Sequence, residues 1–113
     1  METTNPVPTA TYVGLDVAKD RLDYTVDDTR CDHVPNTESG HERLLATLRQ
    51  VKGVRVICES TGGYERALVA KLLQAKIEVC VVNPGRVRAF AQAEGLLAKT
   101  DRLDAHLLRR FGQ

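Results

Sequence analysis

Short runs of β-branched and aromatic residues, separated by turn-forming residues, occupy the first third of the chain. The runs cover residues 11–16, 21–26 and 30–34, and the pair Asp27-Asp28 separates the second run from the third. Strand-forming runs this short, joined by connections this brief, are typical of an antiparallel meander. We therefore predict three antiparallel strands at the start of the domain.

The middle of the chain alternates between helical and strand periodicity. Leucine and valine recur at helical spacing over residues 39–51, with Ser39 as the expected cap, and again over residues 64–75. Residues 53–59 and 77–82 are short apolar runs rich in β-branched side chains, which predicts buried strands. Two strands in this order lie parallel, with a helix crossing between them, and the second run suits the middle of a parallel sheet.

Two further helices are predicted after these strands. Pro84 suits the first turn of a helix over residues 85–92, and Thr100 can cap a last helix that runs through Phe111. The order of elements predicts an α/β domain with a mixed five-stranded sheet flanked by helices. In this sheet, strands 1–3 form an antiparallel meander and strands 4 and 5 are parallel.

Length and composition indicate one domain with a single core. The chain has 113 residues, and we expect the domain to cover residues 11–113. Residues 1–10 are polar, contain two prolines and show no period, so we expect a flexible tail. The tail has no signal-peptide pattern, and no apolar run approaches the roughly 20 residues of a membrane span. We expect a cytoplasmic protein with no membrane partner.

The cysteines, histidines and net charge exclude other classes of site. The three cysteines and three histidines show no zinc-ligand spacing. We expect the cysteines to be small buried hydrophobic residues, and the histidines to lie at the surface or be partly packed. A net charge of +1 excludes a basic surface over the whole domain, but residues 84–113 carry six Lys and Arg against three Asp and Glu.

Four acidic residues occupy positions that a metal-dependent nuclease requires. Asp16 ends the first predicted strand, Glu59 ends the fourth, and Asp101 and Asp104 lie three apart at the start of the last helix. If strands 1 and 4 are parallel neighbours, Asp16 and Glu59 converge at the edge where open α/β sheets bind ligands. A single helix docked there would add both remaining acids.

The chemistry of such a cluster favours divalent cations. Several carboxylates packed together raise one another's pKa unless a cation neutralises them. Hard oxygen ligands select Mg²⁺ or Mn²⁺, and two such ions about 4 Å apart can clamp the attacking and leaving oxygens of a phosphodiester.

Each acid also has a purely structural explanation. Asp16 could form an Asx turn, Glu59 could mark a strand exit, and the last two acids could complement a helix dipole. Only the combination predicts a metal site. Asp23, like the other acids of the first hairpin, we interpret as a hairpin or turn charge. Residues 60–63, the sequence STGG, we expect to cap the following helix, with contact to a substrate backbone as the alternative.

Several basic residues near the acids are candidates for nucleic-acid binding. Lysine and arginine commonly bind phosphates, whereas the structural alternative is solvated surface charge or moderation of the negative field. The candidates are Lys19, Arg86, Arg88, Lys99 and Arg102.

Three segments carry a family resemblance: GLDVAKDRLDYTV, CESTGGYE and VNPGRVRAFAQAEGLLAKTDRLDAHLL. Together they resemble the N-terminal domain of the DEDD transposases, the IS110 type of bacterial insertion-sequence recombinase, over nearly everything after the tail. The most specific part is KTDRLDA with its upstream NP. The four acids of the family fall on Asp16, Glu59, Asp101 and Asp104. The resemblance implies an RNase H-like, RuvC-like fold, Mg²⁺-dependent DNA cleavage and rejoining, and guidance by a bridge RNA.

The resemblance also implies a partner domain. Family members carry a C-terminal transposase domain with a serine nucleophile, and the last helix is still amphipathic where this sequence ends. We therefore expect a catalytic half of a longer protein, which would be unable to complete transposition alone and would act as a homo-oligomer in full length.

Three alternatives to this function stay open. A RuvC-type Holliday-junction resolvase shares the fold and the acids. A non-catalytic nucleic-acid-binding or assembly module would use the basic C-terminal third, with the acids serving as caps and turns. An actin-like sugar kinase begins with a similar strand, but it needs a longer chain and a second phosphate loop.

Overall fold

The computed structural model describes residues 10–27, 29–96 and 104–113. The tail predicted over residues 1–10 lies outside the described residues except for Ala10. Within the described part, the strands and helices follow the order β1 (Thr11–Val17), β2 (Arg21–Thr25), β3 (Asp32–Pro35), α1 (Glu38–Leu48), β4 (Val54–Glu59), α2 (Arg66–Gln74), β5 (Glu78–Val82), α3 (Pro84–Ala93) and α4 (Ala105–Gly112).

The five strands form one mixed sheet in the order β3-β2-β1-β4-β5. Strands β1, β2 and β3 pair antiparallel, as the predicted meander requires. Strand β4 pairs parallel with β1 on one side and with β5 on the other. The predicted fold class is confirmed, and the architecture is consistent with the RNase H-like fold that the resemblance implies.

Helices cover both faces of the sheet. On the α1–α2 face, side chains such as Val13 and Leu15 of β1 pack with Leu44 of α1 and Leu68 of α2, which are all at most 1% exposed. On the α3–α4 face a smaller core joins the sheet to the last two helices through Ile57, Val87, Ala91, Leu107 and Leu108. Burial of each such side chain contributes roughly 2 kcal/mol, so both faces stabilise the central strands.

Helix α4 lies against the sheet at Gly14. A Cβ at Gly14 would lie 2.6 Å from the backbone nitrogen of Arg109 and closer still to the carbonyl oxygen of Ala105. The side chain of Arg109 crosses the same strand, where its Nε donates to the carbonyl oxygen of Tyr12 at 3.0 Å. Only a residue without a side chain permits this approach of helix to strand. The position of α4 therefore depends on Gly14.

Two details of the predicted elements are wrong. Helix α1 is capped by Thr37, whose side chain accepts the N–H of Gly40, because Thr37 has the extended backbone of a cap whereas Ser39 is already helical. Strand β5 lies at the edge of the sheet and not in its middle, and its Val81 is 42% exposed. An apolar run shows that a strand forms, but its period does not reveal how many neighbours the strand has.

The expectation for the cysteines holds only for Cys58. This residue is buried in the core of the α1–α2 face, and burial raises the pKa of its thiol to about 12. Cys31 and Cys80 are exposed, since one precedes β3 and the other lies on the edge strand. Among the histidines, His41 is buried.

None of the described helices has the length and apolar character that crossing a bilayer requires.

The variant Gly14→Ala is expected to lower the free energy of unfolding by about 3 kcal/mol, because its methyl group fits only if α4 moves off β1. Urea denaturation followed by circular dichroism measures this loss. Gly95→Ala is the control, since an added Cβ there meets nothing within 4 Å and only the φ of +70° is unfavourable. That strain costs about 1 kcal/mol. Equal losses in the two variants would contradict the close packing of α4.

Candidate metal site at the carboxyl edge of the sheet

Asp16 and Glu59 are neighbours across the two central parallel strands. The register of β1 and β4 pairs Leu15 with Cys58, and Asp16 and Glu59 are the next residue on each strand. Side chains alternate between the faces of a sheet. Because Leu15 and Cys58 are buried on the α1–α2 face, the two carboxylates belong to the α3–α4 face. Both residues are half-buried.

Asp104 reaches the same face from the start of α4. Its backbone is extended, with φ −131° and ψ 178°, and its Oδ1 accepts the N–H of Leu107 at 2.9 Å. Asp104 is therefore the N-cap of a helix that begins at Ala105. The prediction that Thr100 caps this helix is wrong, because the extended backbone of Asp104 makes Asp104 the cap. Asp101, which we expected on the same helical face as Asp104, lies outside the described residues. Periodicity located the helix but not its first residue.

The negative charges of these carboxylates all act on the thiol of Cys31. Although Cys31 is exposed, partial desolvation of the thiol is the first cause that raises its pKa, followed by the negative charges of Asp23, Asp104, Asp32 and Asp16. Charge interactions at ordinary ionic strength act over roughly 10 Å. Asp16 on the sheet and Asp104 on α4 therefore contribute to the same negative potential.

Asp23 belongs to this region, although we interpreted it as a hairpin charge. The register of β1 and β2 pairs it with Asp16, and the register of β2 and β3 pairs it with His33. Like charges directly opposite each other destabilise an antiparallel pair, and Arg21 offsets part of this through an ion pair of 2.9 Å with Asp23. Alternation along the hairpin was the signal that could have assigned Asp23 to the face of Asp16.

The described residues alone do not complete a set of metal ligands. Among residues 10–27, 29–96 and 104–113, no three His, Cys, Asp or Glu side chains are grouped closely enough to hold a metal ion. The donor chemistry nevertheless fits Mg²⁺ or Mn²⁺, because the candidate ligands are all carboxylates. Sites of Mg²⁺ that act on phosphates commonly use one or two carboxylates, with water and substrate oxygens as the other ligands. Neighbouring Asp16 and Glu59 meet that requirement.

The turn after Glu59 is held by an internal carboxylate. Oε1 of Glu65 accepts the N–H of Thr61 at 3.1 Å, the hydroxyl of Thr61 at 2.8 Å and the N–H of Gly63 at 3.2 Å. Hydrogen bonds from its own backbone N–H, from Thr61 and from Gly63 hold the pKa of Glu65 below its usual value. Because the N–H groups of Thr61 and Gly63 already bond to Glu65, they are not offered to a phosphate. The start of α2 has no hydrogen bond from a capping side chain, so the turn does not cap the helix in that way.

The candidate basic residues divide into two groups. Lys19 is exposed in the turn after β1, and Arg86 is exposed in the first turn of α3, directly after β5. Because β1 and β5 both run parallel to β4, these two residues lie at the carboxyl edge, where the acids are. Arg88, two residues further into α3, is half-buried. Lys99, Asp101 and Arg102 lie outside the described residues.

Similarity to known proteins covers all of these positions. Residues 13–113 match the family model of the IS110-type DEDD transposases, which is described as a transposase. The pilin gene-inverting proteins of Moraxella lacunata and Moraxella bovis are each 32% identical to this chain over 109 residues. Those matches cover 90% of this chain and 34% of each relative, so the chain spans about a third of the length of the curated relatives it matches. This chain belongs to the DEDD transposase family of the IS110 type.

Proposed function

We propose that this chain is the catalytic domain of a DNA transposase or recombinase, which cleaves and transfers DNA strands with the help of divalent metal ions. The observation that carries the proposal is the juxtaposition of Asp16 and Glu59 at the carboxyl ends of two paired parallel strands. Family membership supports DNA as the substrate. The proposed ligands are these two acids together with Asp101 and Asp104, and the proposed cofactor is two Mg²⁺ or Mn²⁺ ions.

The residues of the chain have distinct parts in the proposed reaction. When bound, the metal ions would stabilise the charge that develops on the phosphodiester and lower the pKa of an attacking hydroxyl or water. Asp16 and Glu59 supply oxygen ligands on strands that have neighbours on both sides, which limits their movement. Asp104 supplies a carboxylate from α4, so its distance from the other two depends on how α4 packs on β1.

Basic residues at the same edge would hold the DNA backbone. Lys19 and Arg86 are exposed at the same edge of the sheet as the acids, and contacts to phosphates fix the position of DNA without reading its sequence. Arg88, Lys99 and Arg102 are further candidates in this proposal. Such contacts also offset the repulsion between DNA and the carboxylates.

A second part of the proposal concerns the activity of the full-length protein. The relatives are named as proteins that invert a pilin gene, and we propose by similarity that the full protein recombines DNA segments. A C-terminal transposase domain, a bridge RNA as guide and a homo-oligomeric assembly are parts of this proposal that come from the family resemblance. Membership of the transposase family favours this function over a Holliday-junction resolvase or a sugar kinase.

Loss of metal binding in acid variants tests the proposed ligands. Isothermal titration calorimetry with Mn²⁺ should show saturable binding that Asp16→Asn and Glu59→Gln each weaken at least about tenfold, because each removes a charged ligand. Asp104→Asn should also weaken binding while keeping α4 stable, since an Asn oxygen can still accept the capping N–H.

The matched control for these variants is Glu78→Gln, which removes an exposed carboxylate at the opposite end of the sheet. This variant should bind Mn²⁺ as the parent chain does. Undiminished binding in both Asp16→Asn and Glu59→Gln would overturn the proposed site.

Cys31 provides a second measure of metal binding. Positive charge among the surrounding carboxylates should lower the pKa of its thiol, so Mg²⁺ should speed alkylation by neutral iodoacetamide about threefold at pH 8. The measurement uses Cys80→Ser, in which Cys31 is the remaining exposed cysteine. In the control Cys31→Ser, the rate at Cys80 should not respond to Mg²⁺. An alkylation rate at Cys31 that is the same with and without Mg²⁺ would contradict the binding of a cation near Asp16 and Asp104.

Salt-dependent DNA binding tests the basic residues. In fluorescence anisotropy, Lys19→Gln and Arg86→Gln should each weaken binding to all DNA sequences alike and reduce the slope of log K against log salt by about one. Lys52→Gln is the control, because Lys52 is exposed before β4 at the opposite edge. An equal loss in the control would mean that DNA binds through general surface charge. Binding unchanged by chelator and by the acid variants would favour the non-catalytic module.

A further inference from the structure

Asn36, in the short connection between β3 and α1, uses both polar groups of its side chain. Nδ2 donates to the carbonyl oxygen of Ala18 at 2.9 Å and to that of Tyr64 at 3.1 Å. Oδ1 lies 2.7 Å from Nε2 of His41, and the backbone N–H of Asn36 donates to the carbonyl oxygen of Asp20 at 3.0 Å. One residue thus joins segments that are far apart in the sequence.

Two of these segments directly follow the strands that carry the acids. Ala18 begins the turn after β1, two residues beyond Asp16, and Tyr64 lies in the connection after β4, five residues beyond Glu59. The amide nitrogen of Asn36 therefore connects the ends of β1 and β4 at the carboxyl edge. We call Asn36 with its two carbonyl acceptors the Asn36 clamp.

The pairing of β1 with β4 stops just before the acids. Leu15 and Cys58 are the last residues paired between these two strands. Beyond that pair, Asp16 pairs with Asp23 of β2, and Glu59 pairs with Val82 of β5. Each acid is thus paired with its outer neighbour, one residue beyond the last β1–β4 pair. The Asn36 clamp connects the two strand ends beyond that pair.

His41 fixes the orientation of the clamp. The amide of Asn36 cannot be reversed, because its oxygen would then face two carbonyl oxygens, so Oδ1 accepts a hydrogen bond from Nε2–H of His41. His41 is 4% exposed, and burial followed by the charge of Lys71 holds its pKa below the usual 6.5. The imidazole is therefore neutral at pH 7, with its proton on the nitrogen that faces Asn36.

We propose that Asn36 is a positioning residue for the metal site, because it sets the spacing of the strand ends that carry Asp16 and Glu59. The inference rests on the proposed function, since it assigns to the metal site a residue that touches no metal ligand directly. A purely structural role would instead be limited to holding the start of α1. Thr37, the next residue, has that role as the N-cap and takes no part in the clamp.

Comparison of Asn36→Ala with Thr37→Ala separates the two roles. Both variants should lower the urea midpoint, since both weaken the attachment or the start of α1. Titration with Mn²⁺ should show a Kd about tenfold higher in Asn36→Ala and changed by less than about twofold in Thr37→Ala, compared at the same folded fraction. Equal changes in Kd for the two variants, or no change in Asn36→Ala, would overturn the inference.

Amide hydrogen exchange tests the clamp without metal. The N–H groups of Ala18 and Thr61 bond within the two connections, and they should exchange about tenfold faster in Asn36→Ala but not in Thr37→Ala. Unchanged exchange at both amides would overturn the inference. If the parent chain binds no Mn²⁺ but exchange changes as expected, the proposed metal site fails and the clamp stands as a structural bridge only, which also rejects its positioning role.

If Asn36→Ala does not fold, variants of His41 replace it. His41→Leu removes the donor that orients Asn36, whereas a Gln side chain at this position can present an N–H to Oδ1. His41→Leu should raise the Kd for Mn²⁺, and His41→Gln should restore it to within about twofold of the parent value. An equal Kd in these two variants would overturn the inference.

Discussion

The parallel pairing of β1 with β4 is the constraint on which the rest of the structure depends. It joins the antiparallel meander to the parallel half of the sheet, and it brings two strand ends to the same edge. Without this pairing, Asp16 and Glu59 would not lie next to each other at one edge of the sheet. Both strands lie inside the sheet with a helical layer on each face, so burial of apolar side chains on both sides holds this pairing in place.

The division of the acids among elements follows from this arrangement. Asp16 and Glu59 are fixed by strands, whereas Asp104 is carried by a helix whose position depends on contact with Gly14. Among the described acids of the proposed site, Asp104 is the one that movement of α4 would displace. In the proposed reaction, the rigid pair would define where a metal ion binds, and the helix would determine whether the ligand set is complete.

Much of the fold was predictable because local sequence determines it. β-branched runs and short turns predicted the meander, and the helix between β4 and β5 required these strands to be parallel. The positions of Asp16 and Glu59 at strand ends were predictable as well, but their adjacency was predicted only on the condition that strands 1 and 4 pair in parallel, which they do. The edge position of β5 was not predictable, since strand order is set by packing that a period does not record.

The parts of the site that the sequence did not reveal depend on side-chain geometry. Thr37 and Ser39 are both good caps by type, and only the backbone at Thr37 decides between them. The interpretation of Asp23 as a hairpin or turn charge misses its position opposite Asp16, because that position depends on the register of the hairpin. No sequence motif identifies the role of Asn36. Two of its hydrogen-bond partners are backbone carbonyl groups, which every residue has, so the types of the partner residues give no signal.

The position of Asp104 as a helix cap accounts for its being an aspartate. One of its oxygens closes the first turn of α4, and this requires a short side chain, since Asp is among the best residues at that position whereas Glu is not among the preferred ones. Glu59 lies at the end of a strand and not at the start of a helix, and it is half-buried. Replacing Asp104 by Glu and Glu59 by Asp would leave the total charge of these positions unchanged. It would nevertheless weaken the capping hydrogen bond at the start of α4. Net charge alone therefore does not describe what this position requires.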